Sequence, residues 1–86
     1  MSRTLAFDRH GWDDYTSWQH EDRKTLRRIN ALIAEVLRDP FAGIGKPEPL
    51  KHILSGAWSR RIDDVNRLVY LVTDDQIIVL QARYHY

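Results

Sequence analysis

The chain opens with a short run, residues 3–7 (Arg-Thr-Leu-Ala-Phe), that predicts an N-terminal strand. Asp8 follows it, and an aspartate there is suited to accept hydrogen bonds from the unpaired amides of a helix start. Trp12, Tyr15 and Trp18 then recur at helical spacing, which predicts a first helix over roughly residues 9–20. His20-Glu21-Asp22 interrupts that pattern, and Asp22 is the expected cap of a second helix. There Leu26, Ile29, Ile33, Val36 and Leu37 fall at i, i+3, i+7, i+10 and i+11, a single apolar stripe. Asp39-Pro40 ends it, because proline disfavours helical geometry in the residue before it.

Residues 41–49 carry two Gly and two Pro and predict a loop. From Leu50 the pattern turns to strands: a short run at 52–54 before the Ser55-Gly56 turn, then 58–62, 67–72 and 76–83. Asp63-Asp64-Val65-Asn66 and Asp74-Asp75 separate the last three. The order strand, helix, helix, then strands implies an α+β fold. It is a small, mostly antiparallel sheet with two N-terminal helices packed on one face. A turn at Asp64-Val65-Asn66 sets Ile62 opposite Leu68 and Arg60 opposite Tyr70. Alternation then sends Trp58, Ile62, Leu68, Tyr70 and Val72 toward the helices, and Ser59, Arg61, Arg67, Val69 and Leu71 to the open face. A matching loop at Asp74-Asp75-Gln76 sends Ile78, Leu80 and Ala82 to the helix side, and Arg83 and His85 to the side of Arg61 and Arg67.

Length changes this picture little: 86 residues allow one domain, residues 1–86, with one core between two layers. Without cysteine there are no disulfides and no thiolate metal sites. The apolar runs around 68–70 and 77–80 fall far short of the ~20 residues of a membrane span. Met1-Ser2-Arg3-Thr4 lacks the layout of a secretory signal, so a cytoplasmic protein with no membrane partner is expected. Charge is more informative. Thirteen Lys+Arg against twelve Asp+Glu give +1, which argues against bulk coating of nucleic acid. Yet ten of the thirteen cations are arginines, whose planar fork suits phosphate recognition. The acids fall in pairs at Asp13-Asp14, Asp63-Asp64 and Asp74-Asp75, whereas the arginines gather on the second helix and the open sheet face. A near-zero sum therefore conceals two basic patches.

Three groups of residues could carry chemistry. On the open face, Arg61, Arg67, Arg83 and His85 stand with Tyr84 and Tyr86. Cleaving a phosphodiester with the ribose 2′-hydroxyl needs a base, an acid for the leaving oxygen and cations for developing charge, which His, Arg and a carboxylate supply without a metal. A solvated arginine face is the alternative. In Lys46-Pro47-Glu48-Pro49-Leu50-Lys51-His52, Glu48 sits between prolines that limit backbone freedom and lower the entropic cost of placing its carboxylate. An ordinary charged loop would look the same. On the second helix, Arg23, Lys24, Arg27, Arg28 and Arg38 lie off the apolar stripe, either docking on structured RNA or simply solvated. His10, His20, His52 and His85 share no metal-ligand spacing, and Gly43-Ile44-Gly45 precedes no helix, so neither a metal nor a cofactor is expected. A non-catalytic RNA- or protein-binding α+β module remains the rival reading.

The string Lys46 to His52, then Leu54-Ser55-Gly56, Trp58-Ser59-Arg60-Arg61-Ile62, Arg67-Leu68-Val69-Tyr70 and the terminal Arg83-Tyr84-His85-Tyr86 resembles the YoeB (Txe) toxins. Trp12-Asp13-Asp14-Tyr15 and the Asn30-containing second helix match as well, so the resemblance covers nearly the whole chain. It implies a RelE-like fold, a place in a type II toxin–antitoxin system, and a metal-independent endoribonuclease that cleaves mRNA in the ribosomal A site and stops translation. By that resemblance Glu48 matches the general base, Arg67 the phosphate-stabilising arginine, His85 the general acid and Tyr86 a substrate-orienting residue. Lys51, Arg61, Arg83 and Tyr84 are the expected RNA contacts, and Arg23, Lys24, Arg27 and Arg28 the expected ribosome contacts. The implied partners are a YefM-type antitoxin, the bacterial ribosome and mRNA, and self-association to a homodimer is compatible with the family.

Overall fold

The computed structural model describes residues 2–84. Two aspartates set where its helices begin. Asp8 follows strand β1 (Thr4–Phe7), and its Oδ1 accepts from the Gly11 amide at 2.7 Å, opening helix α1 (Arg9–Glu21). Asp22 serves twice. Its amide donates to the Trp18 carbonyl at 3.0 Å and closes α1, while its Oδ1 accepts from the amides of Lys24 and Thr25 at 3.1 and 3.2 Å and starts α2 (Arg23–Arg38). The Thr25 hydroxyl donates to Oδ2, and this bond is the main reason the Asp22 carboxyl is held below its ordinary value.

Four further strands follow: β2 (Glu48–Pro49), β3 (Ala57–Arg61), β4 (Arg67–Val72) and β5 (Gln76–Gln81). They form one sheet in the order β1-β5-β4-β3-β2. β1 runs parallel to β5, and the other pairings are antiparallel. Both helices cover one face, as the residue pattern predicts. Trp18, Ile29, Leu32, Ile33 and Val36 are buried against Ile62, Leu68, Tyr70, Ile77, Val79 and Ala82. Each such aliphatic side chain contributes roughly 1.5–3 kcal/mol by leaving water. α1 lies so close to the sheet that a Cβ at Gly11 would stand 2.1 Å from the Val79 carbonyl oxygen. On the opposite face Leu50, Ala57 and Val69 form a smaller apolar cluster with Leu71 and Leu80. Among the described residues no helix is long and apolar enough to cross a membrane.

Three strand expectations need correction. Residues 52–54 are not a strand: the amides of Ile53 and Leu54 both turn back to the Leu50 carbonyl, and the short strand is instead Glu48–Pro49, paired with Ser59 and Trp58. The β3–β4 register differs by two residues, with Arg60 opposite Leu68 and Trp58 opposite Tyr70. The turn is longer than expected because Asp63 Oδ1 binds the amides of Val65 and Asn66 at 2.8 and 2.7 Å, taking residues 62–66 out of the ladder. A shift of two preserves which face each side chain takes, so the assignment for β3 and β4 holds. In β5 the faces are reversed. Ile77 and Val79 enter the helix-side core, while Ile78 lies opposite Leu71 and Leu80 joins the cluster on the other face. The register then jumps from Tyr70–Val79 to Val69–Gln81, leaving Leu80 without a partner and returning Ala82 to the core.

Candidate active site

The segment that delivers Glu48 is fixed from behind by a buried arginine. Arg60 is fully buried, on the helix side of β3. Its guanidinium donates to the carbonyls of Asp39, Ala42 and Ile44 at 2.6, 3.0 and 3.1 Å, and its Nε to the Tyr70 hydroxyl at 3.1 Å. The Tyr70 hydroxyl in turn donates to the Pro40 carbonyl at 2.7 Å. Burial pushes the Tyr70 phenol above its ordinary value, and Arg60 draws it part of the way back. The loop is then tied to β3 by the Arg61 amide, which donates to the Gly45 carbonyl at 2.7 Å. Gly45 has a φ of +84°, and a Cβ there would stand 2.8 Å from Leu32 Cδ2, so only glycine fits. Lys46 follows with a φ of +52°, unusual for a side-chain-bearing residue.

Glu48 thus arrives opposite Ser59 on the open face of the sheet. Arg67, from the start of β4, reaches across β3 to it. Its Nη1 lies 3.0 Å from Glu48 Oε1 and 3.2 Å from the Ser59 hydroxyl. The Arg67 side chain is 21% exposed and the Glu48 side chain 54%, so the pair is open to a ligand from one side. An ion pair this wet stabilises the fold by about 1 kcal/mol or less, and an incoming anion can displace the carboxylate from the guanidinium. Arg61 stands directly opposite Arg67 in the ladder, its Nη2 2.9 Å from Asp64 Oδ1. The structure therefore brings together Glu48, Arg61 and Arg67 on one face.

The C-terminal segment is anchored beside this cluster. The Arg67 amide donates to the Tyr84 carbonyl at 3.0 Å, and the Tyr84 amide donates to Asn66 Oδ1 at 2.7 Å. Tyr84 itself is 61% exposed. His85 and Tyr86 lie outside the described residues. Arg83 does not share the open face with Arg61 and Arg67. β5 ends at Gln81, so strand alternation no longer governs it, and its guanidinium lies 4.1 Å from the centre of the Trp18 ring, bonded to Ser17 and to Glu21. Lys51 is exposed in the loop after β2. Arg23, Lys24 and Arg27 are exposed along α2, whereas Arg28 is half-buried, its Nη2 donating to the Arg61 carbonyl at 3.2 Å. Sequence reasoning assigned no role to Ser59, Asn66 or Arg60. Ser59 alternates in step with Arg61 and so was readable as part of the face. Asn66 acts on a backbone amide, which leaves no residue pattern to read, and the one signal for Arg60 is a cation at a helix-facing position of β3.

Known proteins of the same architecture decide the family. Residues 7–86 match the family model described as a YoeB-like toxin of a bacterial type II toxin–antitoxin system. Toxin YoeB of Streptomyces coelicolor is 63% identical over 82 residues, covering 95% of this chain and 98% of the relative. The chain belongs to the YoeB-like toxin family. Among solved structures, a YoeB/ParE toxin from Agrobacterium tumefaciens superposes with a TM-score of 0.92 at 46% identity, over 96% of this chain and 99% of its own. A YoeB dimer and a YoeB–YefM complex from Staphylococcus aureus superpose at 0.89 and 0.87, with 40% and 39% identity over 98% of each chain. The YoeB-like segment includes all of Glu48, Ser59, Arg61 and Arg67 as well as His85 and Tyr86.

Proposed function

We propose that this YoeB-like toxin is an endoribonuclease that cleaves mRNA in the ribosomal A site and so blocks translation. The observation that carries the reading is the Glu48–Arg67 pair at 3.0 Å, braced by Ser59 and open to solvent. When a phosphodiester enters, its oxygens take over the Arg67 guanidinium, which frees the Glu48 carboxylate to accept a proton. Glu48 removes the proton of the ribose 2′-hydroxyl, and the 2′-oxygen attacks phosphorus. Arg67, with Arg61 beside it, offsets the charge that builds on the phosphorane. The bond to the 5′-oxygen breaks, His85 protonates that oxygen, and the products carry a 2′,3′-cyclic phosphate and a 5′-hydroxyl. Tyr86 orients the substrate base, and Lys51 and Tyr84 contact flanking RNA.

Arg83 has a different part in this scheme. Stacked on Trp18 and bonded to α1, it holds the segment leading to His85, which follows Tyr84 by one peptide bond. The exposed cations Arg23, Lys24 and Arg27 dock on ribosomal RNA. The partner in the cell is a YefM-type antitoxin, a reading supported by the staphylococcal YoeB–YefM complex, and an acidic, disordered segment of it folds over the basic face. The staphylococcal dimer supports self-association.

The test is cleavage of mRNA on programmed ribosomes by the wild type and by Glu48→Gln, Arg67→Gln and His85→Gln. Loss of the base or acid should slow cleavage about 10²–10⁴-fold, and loss of Arg67 by a similar factor. Unchanged rates would remove those residues from the chemistry. A wild type that binds ribosomes and cleaves nothing would make the domain a binding module.

A further inference from the structure

Arg28 stands apart from the other cations of α2. It turns toward the sheet and helps to wall a groove with Gly45, Lys46, Arg61, Ile62, Asp63 and Asp64. A second groove, lined by Lys24, Thr25, Arg28, Ile62 and Asp63, shares three of these residues and continues the first along α2. One end of this track is Arg61, whose ladder partner is Arg67. The two basic patches of the sequence are thus joined by a continuous path.

Charge and strain both mark the path. Four cations, Lys24, Arg28, Lys46 and Arg61, face two carboxylates, and neither carboxylate blocks it. Asp63 is engaged by the amides of Val65 and Asn66 and by the Asn66 side chain. Asp64, its side chain 98% exposed, holds Arg61 in a wet pair that phosphate can displace. Lys46 keeps a φ of +52° although the lysine side chain is exposed, a conformation that glycine adopts with less strain. An exposed lysine held in a strained conformation contributes little to folding, so its charge on the groove wall is the reason to look for a ligand.

We propose that this groove holds the phosphodiester backbone of the RNA strand that flanks the reacting nucleotide, with Lys46 and Arg28 as its principal phosphate contacts. The proposal rests on the reading of Glu48 and Arg67 as an RNA site and assigns to Arg28 a substrate contact in place of a ribosomal one.

The probes are two single-stranded RNA oligonucleotides, a dinucleotide and a hexanucleotide, each with a 2′-deoxy sugar at the scissile position so that neither is cut. Their affinities are measured by fluorescence anisotropy competition over a salt series. The hexanucleotide should bind at least tenfold tighter than the dinucleotide. Lys46→Gly and Arg28→Gln should each lose most of that gain and lower the slope of log affinity against log salt by about 0.7, the value for one single-strand phosphate contact. Lys46→Gly should also melt no lower than wild type, since it relieves the backbone, which separates lost binding from lost folding. Arg9→Gln, remote from the groove, should change neither affinity nor slope. A hexanucleotide that binds no better than the dinucleotide, or not at all, overturns the proposal, as does a length gain that survives both groove variants. Arg67→Gln separates the two readings: dinucleotide binding unaffected by it would remove the Glu48–Arg67 site while leaving the groove standing.

Discussion

Arg60 is the residue on which the placement of Glu48 most depends. Replacing it with methionine keeps much of the volume, removes the charge, and leaves the carbonyls of Asp39, Ala42 and Ile44 and the Tyr70 hydroxyl without their donor. Each such hydrogen bond from a charged group contributes about 1.5–3 kcal/mol. The full sum is not lost, because Ala42 and Ile44 are exposed enough to find water, and because a buried charge is removed along with its partners. We therefore expect Arg60→Met to cost about 2–4 kcal/mol, a drop in Tm on the order of 10–25 °C for a chain this small. Arg60→Lys should cost nearly as much, since one ammonium cannot reach three carbonyls spread over residues 39–44. Tyr70→Phe removes the bond to Pro40 and should cost about 1–3 kcal/mol. Combined with Arg60→Met, it should cost less than the two separately, because they share one network. Urea denaturation of the four variants beside the wild type gives these values. An Arg60→Lys variant within 0.5 kcal/mol of wild type, on the order of the change at an indifferent surface site, would refute the carbonyl cage as the cause. So would strict additivity with Tyr70→Phe.

Two further outcomes test the fold. Gly11→Ala would ordinarily stabilise a helix by up to about 1 kcal/mol, yet its Cβ would meet the Val79 carbonyl at 2.1 Å, so we expect net destabilisation of about 1–3 kcal/mol in urea unfolding; a gain in stability would show that α1 does not lie that close to β5. Asp22 bears on pH. Its folded value is lowered, first by the Thr25 hydroxyl, so the stabilisation is complete above the unfolded value near 3.8 and is lost as pH falls through the lowered folded value. Asp22→Asn keeps a cap but cannot titrate, and should flatten the dependence of Tm on pH below 3.8; an unaltered acid limb would place that dependence elsewhere.

How far the sequence could be read follows from which forces leave a residue pattern. Helix starts were legible because Asp8 and Asp22 cap in a fixed position relative to the amides they bind, and α2 was legible because only one of its faces meets the sheet. Leu32 lies just beyond the edge of the stripe chosen from spacing, yet it is fully buried, because α2 packs over a broader arc than a narrow stripe suggests. The faces of β3 and β4 were legible because the open side of these strands carries Ser59, Arg61 and Arg67, which alternate with core residues. β5 offers no such contrast. Its Ile77-Ile78-Val79-Leu80 run is covered by helices on one side and by the cluster of Leu50, Ala57 and Val69 on the other. A strand with apolar neighbours on both faces has no period to read. Its parity is set instead by backbone events: the Thr73–Gln76 turn, closed by a 3.0 Å bond from the Thr73 amide to the Gln76 carbonyl, and the unpaired Leu80. The same logic explains the site. Glu48 and Arg67 were identifiable as a carboxylate and a cation worth placing, but their approach to 3.0 Å depends on Arg60, Gly45 and Asn66 acting on carbonyls and amides. A single cation on the apolar side of a strand was the available clue: Arg60 shares the helix-facing side with Trp58 and Ile62, and a guanidinium there must find acceptors in the backbone.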